Sequence, residues 1–146
     1  VSQVQAALQA SGIPAQLLEL EITESALMEP GVAATSILTA LRQLGIKLAI
    51  DDFGIGYSSL AYLRHFPVEL LKIDQSFMRG VPDEPGAVKI AAAIVNMAHT
   101  LHMRVLAEGV ENLAQWKYLQ RVGCDYAQGW FLGKAMSAAE LEPALR

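Results

Sequence analysis

Short apolar runs along this chain alternate with longer stretches whose apolar positions recur every three or four residues. The short runs cover residues 17–22, 47–50, Leu70–Ile73, Arg104–Ala107 and the brief Tyr126–Ala127, and their length and bounding turn residues predict buried strands. Helical spacing first links Val4 to Leu8, with Gly12 and Pro14 closing that helix. It returns over 32–44 through Ile37, Leu38 and Leu41, where Gly45 supplies a stop. A turn-rich stretch, 52–59, leads to a short helix capped by Ser58 or Ser59 and reaching about Arg64. A loop with Pro82, Asp83, Pro85 and Gly86 precedes a long helix over 87–101. Asn112 is a good N-cap for a helix to Val122 with Gly123 past its end, and Ser137-Ala138-Ala139-Glu140 reads as a capping box for the last helix.

Strict alternation with short connections predicts an α/β protein with a parallel sheet and right-handed crossovers. An open doubly wound sheet and a (β/α)8 barrel both satisfy the pattern, and both gather functional residues at the carboxyl ends of strands. Polar candidates stand at the end of all five strands, whereas an open sheet concentrates its ligands at one switch point. That favours the barrel. A whole barrel takes ~250 residues, so 146 residues correspond to about five of the eight βα units. The chain opens on Val1 with no initiator Met and no signal-like segment, and reads as a piece of a longer protein.

Composition narrows the function classes. With 53% hydrophobic and 18% charged residues the chain is globular, not disordered. No apolar stretch approaches the roughly 18 residues needed to span a bilayer. A formal charge of −4 argues against a broad surface for polymeric nucleic acid. A small anionic ligand is compatible with it if metals provide local positive field. Cys124 is the sole cysteine, which excludes an internal disulfide and suits a reducing cytoplasm.

The candidate chemistry lies where the strands end. Carboxylates are poor strand residues and costly to bury unpaired, yet Glu21 and Glu24, Asp51-Asp52, Asp74, and Glu108 with Glu111 all close or follow an apolar run. Asp51 and Asp52 can both face one centre only where the backbone turns, and Gly54 and Gly56 permit such a turn. Two carboxylates this close call for a bridging cation or a shared proton; a hard divalent ion such as Mg²⁺ or Mn²⁺ fits oxygen ligands. Lys72 and Asp74 lie two apart on one strand face, and a lysine in a barrel mouth orients a water or a phosphate oxygen. Glu108 is a metal ligand or a general base. Glu111 is equally explained by a helix dipole, and Glu24 by ordering of loop 51–59. His65, His99 and His102 fall on helices away from the strand ends and suit structural roles. Hard ligands without an activated Ser or Cys imply metal-assisted hydrolysis at phosphorus with two cations.

Six segments, taken together, resemble the carboxyl-terminal part of the EAL domain, the bacterial phosphodiesterase family that acts on cyclic di-GMP. They are Leu20-Glu21-Ile22-Thr23-Glu24, Asp51-Asp52-Phe53-Gly54, Gly56-Tyr57-Ser58-Ser59-Leu60, Leu71-Lys72-Ile73-Asp74, Ala107-Glu108-Gly109-Val110-Glu111 and Ala127-Gln128-Gly129. The resemblance implies a (β/α)8 TIM-barrel-like fold, with residues 1–146 the C-terminal portion of a single domain. It also implies hydrolysis of cyclic di-GMP to linear pGpG with Mg²⁺ or Mn²⁺ at two metal sites. By analogy Glu21, Asp51 and Asp52 are metal ligands, Asp51 bridging, and Glu108 is a ligand of the second metal or the general base. Lys72 holds the attacking water, Glu111 and Gln128 support the site, and Glu24 anchors loop 52–59. In this family that loop often lies near a dimer contact, implying a homodimer of the full domain.

The chain departs from the family pattern at Ile55, where Thr is usual, and at Trp130 and Ala135, where Tyr and Pro are usual. The Glu-Ala-Leu signature with its metal-binding Glu does not occur in residues 1–146, nor does an Asn that the family places on an earlier strand. Three functions therefore compete. They are a cyclic di-GMP phosphodiesterase, of which this piece alone is inactive; a non-hydrolytic cyclic di-GMP receptor or interaction module; and an unrelated metal-dependent barrel for another phosphate or enol substrate.

Overall fold

A computed structural model of the chain describes residues 1–27, 34–55 and 63–144. Helix α1 (Ser2–Ser11) ends as its sequence predicts, with Gly12 left-handed at φ 68° and its N–H donating to Leu8 O. After Pro14 the backbone tightens into a 3₁₀ turn, Ala15–Leu17. Strand β1 (Glu19–Thr23) therefore begins two residues later than the apolar run suggests. Helices α2 (Glu24–Leu27) and α3 (Ala34–Gln43) follow; the expected start of the second near Val32 lies outside the described residues. Strand β2 (Lys47–Phe53) runs three residues past its expected end, because Thr23 pairs with Asp51 and Phe53 with Ile73. The short helix expected from Ser58 or Ser59 also falls mostly outside the described residues.

Strand β3 is Leu70–Ile73, β4 Arg104–Ala107 and β5 Tyr126–Ala127, each as the sequence predicts. Helix α4 (Pro85–Thr100) starts two residues before its expected position, with Pro85 in the first turn where its missing N–H costs nothing. In α5 (Leu113–Val122) Asn112 caps the Gln115 N–H at 2.9 Å and Gly123 closes the other end. Before α6 (Ala138–Ala144) the Glu140 carboxylate accepts from both the N–H and the hydroxyl of Ser137, completing half of a capping box.

The sheet order β1-β2-β3-β4-β5, with every pair parallel, decides between the two architectures. A doubly wound sheet reverses direction at a switch point; this one advances by one neighbour at each step, as strands do around a barrel. Side-chain alternation sorts its faces. Leu48, Ile50, Leu71, Ile73 and Val105 pack outward against Leu38 and Leu41 of α3 and Val95 and Ala98 of α4. Ala107 joins a second cluster with Met78, Val110, Tyr118 and Leu119. The opposite face presents Glu19, Glu21, Lys47 and Arg104, all exposed. His99 Nε2 lies 2.8 Å from Asp125 Oδ2, which also accepts the Val105 N–H, so the histidine ties α4 to the sheet. Among the described residues no helix is long and apolar enough to cross a membrane.

Candidate active site

Lys72 occupies the middle of the polar face. Its Nζ lies 2.8 Å from Glu21 Oε1, 3.0 Å from Asp51 Oδ1 and 2.9 Å from Glu108 Oε1. Each partner comes from a different place: Glu21 from β1, Asp51 from β2, and Glu108 from the residue after β4. Register explains the meeting. Thr23 pairs with Asp51 and Lys72 with Leu106, so Glu21, Asp51, Lys72 and Glu108 share one face by alternation. The lysine side chain is 7% exposed while Glu21 is 46% exposed, so the cluster opens to solvent on the β1 side. Burial by itself would lower the Lys72 pKa. Hydrogen bonds that the ammonium donates to Glu21, Glu108 and Asp51 outweigh it and hold the group well above the usual lysine range.

Asp52 begins the turn that the sequence assigns to the glycines after it, and Gly54 continues it at φ 98°. The Asp52 φ of 54° is left-handed, and the β2–β3 register shifts between Ile50 and Phe53. Aspartate tolerates this conformation better than most residues. The Asp52 side chain makes no ion pair with Lys72 among the described residues. Next in the chain, Gly54 donates its N–H to Glu24 Oε2 at 2.8 Å. A Cβ on Gly54 would stand 2.5 Å from the Phe77 ring, so the start of this loop is clamped between the buried Glu24 carboxylate and Phe77. Asp74 leaves the strand face: its Oδ1 caps the Ser76 N–H at 2.8 Å at the head of the 3₁₀ turn Gln75–Met78. Burial opposes its ionisation, but the bonds from Ser76 and Gln75 hold its carboxyl below the ordinary aspartate value.

Beside the lysine cluster, Glu108, Glu111 and Gln128 border a cleft of about 350 Å³ together with Gln75, Gly129 and Trp130. Two backbone bonds hold its walls together: Val110 N–H to Gln128 O, and Phe131 N–H to Val110 O, each 3.0 Å. Gly129 is required there, since a Cβ would meet Val110 O at 2.2 Å. Gly129→Ala is therefore expected to cost about 3 kcal/mol, the upper end of overpacking penalties, read as a lower midpoint in urea unfolding. Gln115 is a supporting residue not singled out as a site residue by the sequence. Its Oε1 accepts the Glu111 N–H at 2.7 Å and its Nε2 donates to Met78 O at 3.0 Å. The signal for it was present in Asn112-x-x-Gln115, a capping-box spacing. Gln75 has no comparable local signal.

The donor set has the hard oxygen chemistry a divalent cation needs. Asp51 Oδ1 is buried and, beyond its ion pair with Lys72, has no aligned hydrogen-bond partner among the described residues; Glu24 Oε1 is likewise unpartnered. The donors fit in kind but fall short in number. Among the described residues no three His, Cys, Asp or Glu side chains are arranged to hold a metal ion by themselves.

A sequence model of the EAL domain matches residues 1–135. The cyclic di-GMP phosphodiesterase NbdA of Pseudomonas aeruginosa is 45% identical over 146 residues, all of this chain and 19% of NbdA. Among solved structures, the PaMucR phosphodiesterase in complex with c-di-GMP superposes with a TM-score of 0.91 at 41% identity, over 96% of this chain and 57% of that one. A manganese and cyclic di-GMP complex of Klebsiella pneumoniae BlrP1 superposes with a TM-score of 0.80 at 36% identity, over 88% of this chain and 33% of that one. The chain thus spans less than two thirds of the length of each.

Proposed function

The chain belongs to the EAL domain family, and on that premise we propose that residues 1–146 are the C-terminal portion of a single domain whose complete form hydrolyses cyclic di-GMP to linear pGpG. The observation that supports this most is the convergence of Glu21, Asp51 and Glu108 on Lys72 at one end of a parallel, sequentially ordered sheet. Glu21, Asp51, Asp52 and Glu108 would hold divalent cations, Mg²⁺ or Mn²⁺, with the remaining ligands supplied by a segment bearing the Glu-Ala-Leu signature. Bound there, the ions supply Lewis-acid stabilisation of charge on the phosphoryl oxygens.

The chain's own groups divide the rest of the work. Lys72, paired with the carboxylates of Glu21, Asp51 and Glu108, is the donor that orients the attacking water. Glu108, half-buried beside both Lys72 and the cleft, is placed to accept the water's proton. Glu111 and Gln128 line the cleft that receives the ligand, and Glu24 keeps the Asp52 turn in place through Gly54. The same reading makes the complete domain a cytoplasmic homodimer with Cys124 reduced, acting on a dinucleotide and not on polymeric nucleic acid.

The decisive assay uses the domain with its upstream residues restored, incubated with cyclic di-GMP and Mn²⁺ or Mg²⁺ while pGpG is followed chromatographically. Turnover is expected, is abolished by a chelator and returns with Mn²⁺; residues 1–146 alone give little or none. Robust turnover by this piece would refute the account of the upstream ligands. A receptor that binds without hydrolysing is the second reading. It is favoured by Ile55, 63% exposed beside the Asp52 turn where the family usually has a hydroxyl. Tight binding with no pGpG in Mn²⁺ would select it.

A further inference from the structure

We propose that Trp130 is a base-stacking residue, its indole forming the wall of the cleft against which one guanine of the cyclic dinucleotide lies. The inference rests on the function proposed above and names how that site recognises its ligand. Trp130 is 74% exposed, although a large aromatic gains from burial. It does not sit on a loose loop. The turn that carries it is pinned to the Glu108–Glu111 turn by the Val110–Gln128 and Phe131–Val110 backbone bonds. Leu132 and Gly133 N–H groups both return to Gly129 O, at 3.0 and 3.1 Å.

Gly129 fits so tightly against Val110 that the turn cannot slide. The backbone of Trp130 is thereby fixed, and its side chain lines the same cleft as Glu108. Gln75, Glu111 and Gln128, which line the same cleft, offer amide and carboxylate groups suited to the N–H and carbonyl edges of a purine. An exposed aromatic face sharing a cleft with polar groups is the combination by which proteins hold unstacked bases. The other tryptophan, Trp116, packs against the second apolar cluster, so only one indole is offered to the cleft.

The test uses the complete domain with cyclic di-GMP as probe. Trp130→Ala is expected to raise KM about tenfold, within the cost of removing one stacked base, while kcat holds because the loss is of uniform binding. Trp130→Phe recovers part of the affinity. The part of the domain's tryptophan emission that Trp130→Phe removes is quenched as cyclic di-GMP is added. An unchanged KM in a Trp130→Ala domain that still turns over would overturn the stacking role and leave the phosphodiesterase reading intact. So would a blue-shifted Trp130 emission indifferent to the ligand, which would mean that other parts of the protein cover the indole. A wild-type domain that neither binds nor cleaves cyclic di-GMP would overturn both.

Discussion

Lys72→Met is expected to destabilise the fold by about 2–3 kcal/mol near neutral pH in the absence of divalent ions. That is somewhat below the ~3–5 kcal/mol for breaking a fully buried pair, because Glu21 is nearly half exposed. The physical cause is repulsion: without the ammonium, the carboxylates of Glu21, Asp51 and Glu108 are left facing one another. The deficit should shrink at neutral pH when Mn²⁺ is added, because a cation among the carboxylates relieves the same repulsion.

The wild-type protein has its own signature at the alkaline end. Lys72 binds its proton more tightly when folded than when unfolded. Above about pH 10 the unfolded chain loses that proton while the native state keeps it, so this contribution to stability falls as pH rises. Urea unfolding from pH 7 to 11, and at neutral pH with Mn²⁺, measures both effects. An unchanged unfolding midpoint for Lys72→Met at neutral pH without divalent ions would show that the three carboxylates do not depend on the lysine.

Asp51→Asn and Glu108→Gln in the complete domain keep side-chain shape and remove charge. Each is expected to lower cyclic di-GMP hydrolysis by more than about 100-fold, since even partners one step removed from a metal typically cost 10–100-fold. The fold should survive, because the core clusters lie on the other face of the sheet and contain neither residue. Glu111→Gln, whose side chain borders the cleft without joining the Lys72 cluster, should only weaken the rate. Steady-state kinetics on the three variants, with unfolding curves as control, separate these outcomes. If the two severe changes left the rate intact, the catalytic assignment would be wrong.

Much of the fold was legible in local pattern. Leu70–Ile73, Arg104–Ala107 and the helix between Asn112 and Gly123 stand where periodicity and capping chemistry put them. The misses share a cause. Strand β2 continues through Asp51 and Asp52, poor strand formers, because the ladder to β1 and β3 overrides their propensity. Gly54 does take positive φ as its sequence allows, but Asp52 takes it as well, which no local signal marked. Asp74 shares a face with Lys72 on paper, but the strand ends at Ile73 and its carboxylate caps the next turn.

By itself, the order of residues determined the elements and which of them end in acid or lysine. Those properties depend on neighbours within a turn or two of chain, where backbone sterics and apolar spacing act. The tertiary structure alone decided the sequential order of the strands, the pairing of Lys72 with Glu21, Asp51 and Glu108, and the place of Trp130 beside them. Such meetings join groups tens of residues apart, and only register, side-chain alternation and the packing of helices on the outer face bring them within hydrogen-bonding reach.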